Sequence, residues 1–251
     1  MSIKVGIIGY GNLGKGVECA IKQNDDMELV AVFTRRNPKD LVINTANVEN
    51  MSHLFENCDN LLEVKMDLVT SIGTRAFEHC DKLETITLPE SITTISERMF
   101  YMCMNLREVI VPEGVTTIGP NVFYNCVSLE SISLPGVTEI KDYAFRNCYN
   151  LKEISVPELT LLGQYVFQNN ESLVTVAVPN LVTVGNYAFQ NCFRLVSLTQ
   201  TEKLAQIGNY AFQNDYEFSS DCFQSVTKLG TRAFENCNSL FTLTLESITE
   251  F

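Results

Sequence analysis

Three sets of residues in this chain have types and spacings that could do chemistry. The first is Gly9-Tyr10-Gly11-Asn12-Leu13-Gly14, a GxGxxG run directly after the apolar stretch Ile3 to Ile8. Gly9 permits a tight turn, Gly11 lets the backbone approach a pyrophosphate, and Gly14 allows a helix to pack on the preceding strand. The phosphates would sit at the N-terminus of that helix, where unpaired N–H groups converge. Thr34-Arg35-Arg36 stands where a dinucleotide-binding strand usually ends in an acidic residue for the ribose 2′-hydroxyl. Two arginines suit a 2′-phosphate instead, so the cofactor would be NADP, and only if this segment is functional. The second set is the nine cysteines. No CxxC pair or Cys/His cluster has ligand spacing, so no metal is expected. Disulfides between stacked units are geometrically conceivable, but Asn170 and Asp215 hold the position that Cys holds elsewhere in a repeated pattern. Such a slot wants a small residue near a turn, and the thiols are expected to be buried and free. The third set is His53 and His79, each beside a phenylalanine of that pattern. They read as surface residues of a short helical turn. No nucleophile, base and orienter can be assembled, so no catalytic residue is expected and the chain is read as non-enzymatic.

The elements that must position these residues are dominated by a repeat. Phenylalanines stand at 55, 77, 100, 123, 145, 167, 189, 212 and 234, in steps of 22 or 23. Three residues after each comes Cys58, Cys80, Cys103, Cys126, Cys148, Asn170, Cys192, Asp215 or Cys237, and three further on comes Leu or, once, Phe218. A short alternating run follows, as in Thr85-Ile86-Thr87-Leu88-Pro89, which reads as a strand. Proline ends five of these runs, since it cannot donate to a ladder. A turn leads to Ile-Gly or Val-Gly, and a short Ala-Phe segment of one or two helical turns is expected to close the unit. One unit cannot bury its apolar face alone, so the units must stack. The strands then form a parallel sheet on one face, about 4.8 Å apart, and the phenylalanines form an internal ladder. Asp221 sits where Ile86 or Ile132 sits in other units. A carboxylate there must find hydrogen bonds or turn outward, so residues 215–224 are expected to lose strand pairing, with Cys222 or Phe223 taking over the core.

The pattern Ile-Gly-x-x-Ala-Phe-x-x-Cys-x-x-Leu-x-x-Ile-x-Leu-Pro resembles the BspA-like, Treponema pallidum-type leucine-rich repeat over about 200 residues. That resemblance implies an adhesion or interaction module, mostly surface or secreted, in bacteria and some protists. Residues 1 to about 48 are similar to the N-terminus of the meso-diaminopimelate dehydrogenase family, which is NADPH-dependent. By that likeness Gly9, Gly11, Asn12, Leu13 and Gly14 would line the pyrophosphate, with Thr34, Arg35 and Arg36 at the 2′-phosphate. The likeness fades near residues 40–48, and that family's remaining sheet strands, nicotinamide site and substrate domain do not follow. The segment is therefore read as a non-catalytic βαβ unit, with strands at 3–8 and 28–33 and a helix over 13–23.

The expected fold class is thus α/β: residues 1–44 a partial dinucleotide-binding βαβ segment, and 45–251 a leucine-rich-repeat solenoid with a parallel sheet on one face. Its outward strand residues form two rows. Glu63, Thr85, Glu108, Ser131, Glu153, Thr175 and Ser197 make one, and Lys65, Thr87, Ile110, Ser133, Ser155, Ala177 and Thr199 the other. They are short and sparsely charged, which suits a protein or other extended ligand. Tyr143, Tyr187 and Tyr210 are placed at the convex edge.

The net charge is -12, and it is uneven: residues 1–40 hold six Lys/Arg against five Asp/Glu, the rest 12 against 25. That argues against nucleic acid and against anionic lipid. No apolar run approaches a membrane span of roughly 18–20 residues. The start of the chain lacks a signal-peptide core, so the sequence as given points to the cytoplasm, whereas the repeat family points to the cell surface. The C-terminal run Ser247 to Phe251 carries no polar cap, so the expectation is either a piece of a longer array or self-association through that end.

Overall fold

The computed structural model describes residues 3–8, 27–33 and 52–250, apart from 63, 65, 67, 68, 200, 221 and 222. Strand β1 (Ile3–Ile8) pairs in parallel with β2 (Met27–Phe33), Ile3 opposite Met27 and Ile8 opposite Phe33. Parallel neighbours need a crossover between them. The helix expected there, with Gly9, Gly11, Asn12, Leu13, Gly14, Thr34, Arg35 and Arg36, lies outside the described residues.

From residue 52 the chain coils into stacked units with parallel strands. The alternating runs line one side, the first sheet, in two hydrogen-bonded pieces: β3 (Thr85–Thr87) pairs with β5 (Glu108–Ile110), and β10 (Thr175–Ala177) lies between β8 (Glu153–Ser155) and β12 (Ser197–Thr199). A single bridge, Ser133 to Ser155, joins the intervening unit to this sheet. Each strand buries its central Ile, Val or Leu and turns its first and third residues outward, as a period of two requires.

A second sheet was not foreseen. The segments read as turns contain two-residue strands, namely β4 (Thr94–Ile95), β6 (Thr117–Ile118), β7 (Glu139–Ile140), β9 (Leu161–Leu162), β11 (Thr183–Val184), β13 (Gln206–Ile207) and β14 (Lys228–Leu229). They pair in unbroken chain order as one seven-stranded sheet. Its outer side carries a threonine column, in which Thr138 Oγ1 donates to the Thr116 carbonyl and Thr160 Oγ1 to that of Thr138, both at 3.2 Å.

The third side of each coil corrects the α/β class and the helical turns expected around Ala-Phe: no helix occurs among the described residues. A helix would bond these N–H groups to carbonyls four residues back. Here they bond to the next unit, with Tyr143 N–H donating to Gln164, Phe145 to Val166 and Asn147 to Gln168, at 2.9–3.0 Å. The residues two before and two after each phenylalanine take positive φ, among them Tyr143 at 62° and Asn147 at 63°. That breaks the α-helical run into successive turns.

The phenylalanines stack inside as expected. Phe55 through Phe212 are all buried, and neighbouring rings in the column lie 4.9–5.5 Å apart with interplanar angles of 20° or less. In the irregular unit after Phe212 no described residue joins a strand of the first sheet, and Phe218 and Phe223 are fully buried against Phe212 and Phe234. Phe223 fills the inward slot that Leu88, Leu134 and Val156 hold in other units, while Asp221 and Cys222 lie outside the described residues.

Candidate binding surface

The thiols of the described repeat cysteines are enclosed. Cys58, Cys80, Cys103, Cys126, Cys148, Cys192 and Cys237 are all buried, and no disulfide joins Cys80, Cys103, Cys126, Cys148, Cys192 or Cys237. The thiols of Cys80, Cys103, Cys126, Cys148, Cys192 and Cys237 each donate to the phenylalanine carbonyl of the unit before, as Cys103 does to Phe77 at 3.0 Å and Cys148 to Phe123 at 3.1 Å. Burial pushes the Cys80, Cys126, Cys148 and Cys192 thiols well above their ordinary value, and those of Cys103 and Cys237 up to about 12. The thiolate is the nucleophile and the metal ligand, so these sulfurs serve packing. His53 contacts Glu56 of its own turn at 2.5 Å, and His79 meets the edge of Tyr101 in the next unit. No group of His, Cys, Asp and Glu suited to a metal occurs among the described residues.

The turn edge commits its polar groups to its own neighbours. Asn125, Asn147, Asn169, Asn191, Asn214 and Asn236 form an amide ladder, each Nδ2 donating to the Oδ1 of the preceding asparagine at 2.7–2.8 Å. A parallel ladder runs from Gln168 through Gln190 and Gln213 to Glu235. Tyr143, Tyr165, Tyr187 and Tyr210 stack at 4.7–5.0 Å, within 6° of parallel. The Arg146 guanidinium lies 5.7 Å from the rings of both Tyr143 and Tyr124. The sequence reading named three of the four tyrosines and missed Tyr165, which precedes Val166-Phe167 instead of Ala-Phe. Counting back two residues from each phenylalanine would have found it, and counting forward two would have found the asparagines.

The outer face of the first sheet differs. Thr85, Glu108, Ser131 and Glu153 are exposed, and Thr175 is half-buried. Pairing sets Thr85 beside Glu108, and Thr175 between Glu153 and Ser197, in the order that the expected row gives them. Glu63 lies outside the described residues. In the second row Ile110 is 53% exposed, and Thr87, Ser133 and Ser155 are exposed beside it. Along one margin run Glu84, Arg107, Glu130 and Lys152, alternating in sign. Lys152 Nζ reaches Glu130 Oε2 at 2.8 Å, and its hydrogen bond and charge hold the Glu130 carboxyl below its ordinary range. In the next two units that margin becomes Val174 and Val196. The face thus passes from a charged stretch to one of hydroxyls and small apolar groups, with no cleft needed for an extended ligand to lie along it.

Residues 49–174 and 138–251 match a family profile described as BspA type leucine rich repeat region. A solved leucine-rich-repeat protein of Treponema pallidum is 24% identical with a TM-score of 0.56, covering 69% of this chain and 72% of that one. One from Bacteroides ovatus is also 24% identical, with a TM-score of 0.62 over 75% and 68% of the two chains. A leucine rich cell surface protein of Faecalibacterium prausnitzii is 29% identical, with a TM-score of 0.50 over 72% and 44%. Among curated proteins, meso-diaminopimelate D-dehydrogenase of Ureibacillus thermosphaericus is 71% identical over 41 residues, 16% of this chain and 13% of the enzyme. The Lysinibacillus sphaericus enzyme is 78% identical over 37 residues, 15% of this chain and 11% of that one. The chain therefore spans only about an eighth of the length of these dehydrogenases.

Proposed function

The chain belongs to the BspA-type leucine-rich-repeat family, and from that premise we propose that it is a non-catalytic protein-binding module that engages an extended partner along the outer face of its first sheet. Glu63, Thr85, Glu108, Ser131, Glu153 and Thr175 form the contact row. One observation carries the reading. The turn edge links its amides and rings to one another, whereas the first sheet presents Ile110, Ser133, Ser155 and a margin that changes from charged to apolar. Interfaces combine an apolar centre with a polar rim, and a flat solenoid face suits both. Display at the cell surface accompanies this reading, supported by the description of the Faecalibacterium prausnitzii neighbour. No helix among the described residues is long and apolar enough to cross a membrane.

The test is capture of partners from solubilised cell-surface proteins by the immobilised chain, by an Ile110→Glu/Ser155→Arg variant, and by a Thr117→Arg/Thr183→Arg variant of the second sheet. Partners lost with the first variant and kept with the second support the proposal. Equal capture by all three, or loss confined to the second-sheet variant, contradicts it.

A second reading concerns residues 1–44 as a separate segment. The parallel pair β1–β2 and the dehydrogenase likeness favour a dinucleotide-binding segment of an oxidoreductase lineage. Titration with NADPH decides it. Saturable binding that disappears in Arg35→Ala/Arg36→Ala supports this reading, and the absence of binding to the parent chain retires it.

A further inference from the structure

In most units the residue three positions after the phenylalanine sends a hydrogen-bond donor into the phenylalanine carbonyl of the unit before. Cys80, Cys103, Cys126, Cys148, Cys192 and Cys237 do this with thiols at 3.0–3.2 Å. Asn170 does it with its amide, which donates to the Phe145 carbonyl at 3.0 Å. Asp215 occupies the same slot in the unit of Phe212, where the corresponding carbonyl of the unit before is that of Phe189. It is completely buried. Its Oδ1 accepts the Cys192 N–H at 2.8 Å, while its Oδ2 is buried without a partner. The titratable groups facing it are the Cys192 and Cys237 thiols of the adjoining units, and neither is a cation.

An ionised carboxylate offers only acceptors. In this slot it would set a second anionic oxygen against a carbonyl oxygen, inside an apolar stack, with no positive charge beside it. That is the costliest way to bury a polar group. A protonated carboxyl has one O–H, and an O–H is what the slot's pattern calls for. We propose that Asp215 is held as a neutral acid whose Oδ2–H bonds the Phe189 carbonyl, and that its ionisation loosens the array between the units of Phe189 and Phe212. The solenoid would then carry a pH-sensitive joint at one defined coil. Burial pushes the Asp215 carboxyl well above the ordinary aspartate range, and the Cys192 N–H offsets this only in part.

The sign follows from where the proton sits. The folded chain keeps it at pH values where the unfolded chain, titrating near about 3.9, has lost it. The stability gained is complete below that value and is lost as pH rises through the folded-state value. Within that window each pH unit raises the unfolding constant about tenfold through this one group. The joint therefore tightens in acid and slackens in base, opposite to a salt-bridged aspartate.

The experiment compares the full chain with Asp215→Asn, which can donate as Asn170 does, and with Asp215→Cys, the residue most units carry. Unfolding in denaturant is followed between about pH 5 and 8, where the linkage applies, by far-UV circular dichroism and tyrosine fluorescence. Hydrogen exchange of the Cys192 amide is read in parallel. The expected result is a steeper rise of the unfolding constant with pH in the parent than in both variants, with the Cys192 amide exchanging faster in the parent as pH rises. The cysteine variant preserves the comparison if the asparagine variant does not fold. Parent and folded variants with the same pH slope overturn the proposal, as does a carbon-13 titration showing the Asp215 carboxyl ionised in the folded chain at neutral pH.

Discussion

Phe145→Ala lowers the stability of the array by about 3–5 kcal/mol. Phe145 sits mid-array and is completely buried, its ring 4.9 Å from Phe123 and 5.5 Å from Phe167. Removing it forfeits roughly 1.5–3 kcal/mol of apolar burial. It also breaks two ring contacts, each worth about 0.5–1.5 kcal/mol beyond area. The cavity stays open, because the rings on either side are fixed by backbone bonds from Phe123 to Ala144 and from Phe145 to Val166. Thr87→Ala, on the exposed face of β3, is the control and stays within about 0.5 kcal/mol. Equilibrium denaturation of both variants checks the pair, and equal losses would mean that the register is wrong. A stack couples chiefly nearest neighbours, so exchange should accelerate first in the units of Phe123 and Phe167.

The second large effect is at a glycine. Gly185→Ala is expected to cost about 1–3 kcal/mol by overpacking. A Cβ there would lie 2.3 Å from the Gly163 carbonyl oxygen and 2.5 Å from its carbon, both backbone atoms that cannot swing aside. The same slot, four residues before the phenylalanine, is Ser96 and Lys141 in two other units. There the coil accommodates a side chain, with Ser96 Oγ bonding the Ile72 carbonyl. In this slot the constraint is tightest where glycine follows glycine, at Gly185, Gly208 and Gly230. Lys141→Ala should therefore change stability by no more than about 0.5 kcal/mol. A thermal shift of similar size for the two alanine variants would show that the glycine column is incidental.

Much of this architecture can be read in the sequence because each column repeats its chemistry. Nine phenylalanines in near-constant step define an internal ladder. The alternation around Ile86 or Ile154 defines an outward and an inward row. Cysteine exchanging with Asn170 and Asp215 marks a small buried slot. What that slot does was less legible, since only the geometry reveals a donor aimed at a carbonyl one unit away. The second sheet was hidden because two residues, such as Leu161-Leu162 or Lys228-Leu229, are too few to display alternation. The turn edge misled for another reason. Ala-Phe beside Gln and Arg favours a helix locally, and the decisive hydrogen bonds connect residues 21 or 22 apart, as from Phe145 to Val166. Asparagine at 125, 147, 169, 191, 214 and 236 was a usable hint of left-handed backbone, since Asn tolerates positive φ. Tyrosine and arginine two residues before the phenylalanine gave none. In the N-terminal segment both strands were legible from apolar runs, with β2 beginning one residue before the reading placed it.

The rows of the first sheet, the donor slot and the glycine column all depend on one register, in which each coil bonds to the next instead of curling into a helix. Through-hydrogen-bond scalar coupling on isotopically labelled chain measures that register directly. The Phe145 amide should couple to the Val166 carbonyl, and the Phe167 amide to that of Ala188. Coupling from Phe145 to the Lys141 carbonyl, the helical partner four residues back, would contradict the account.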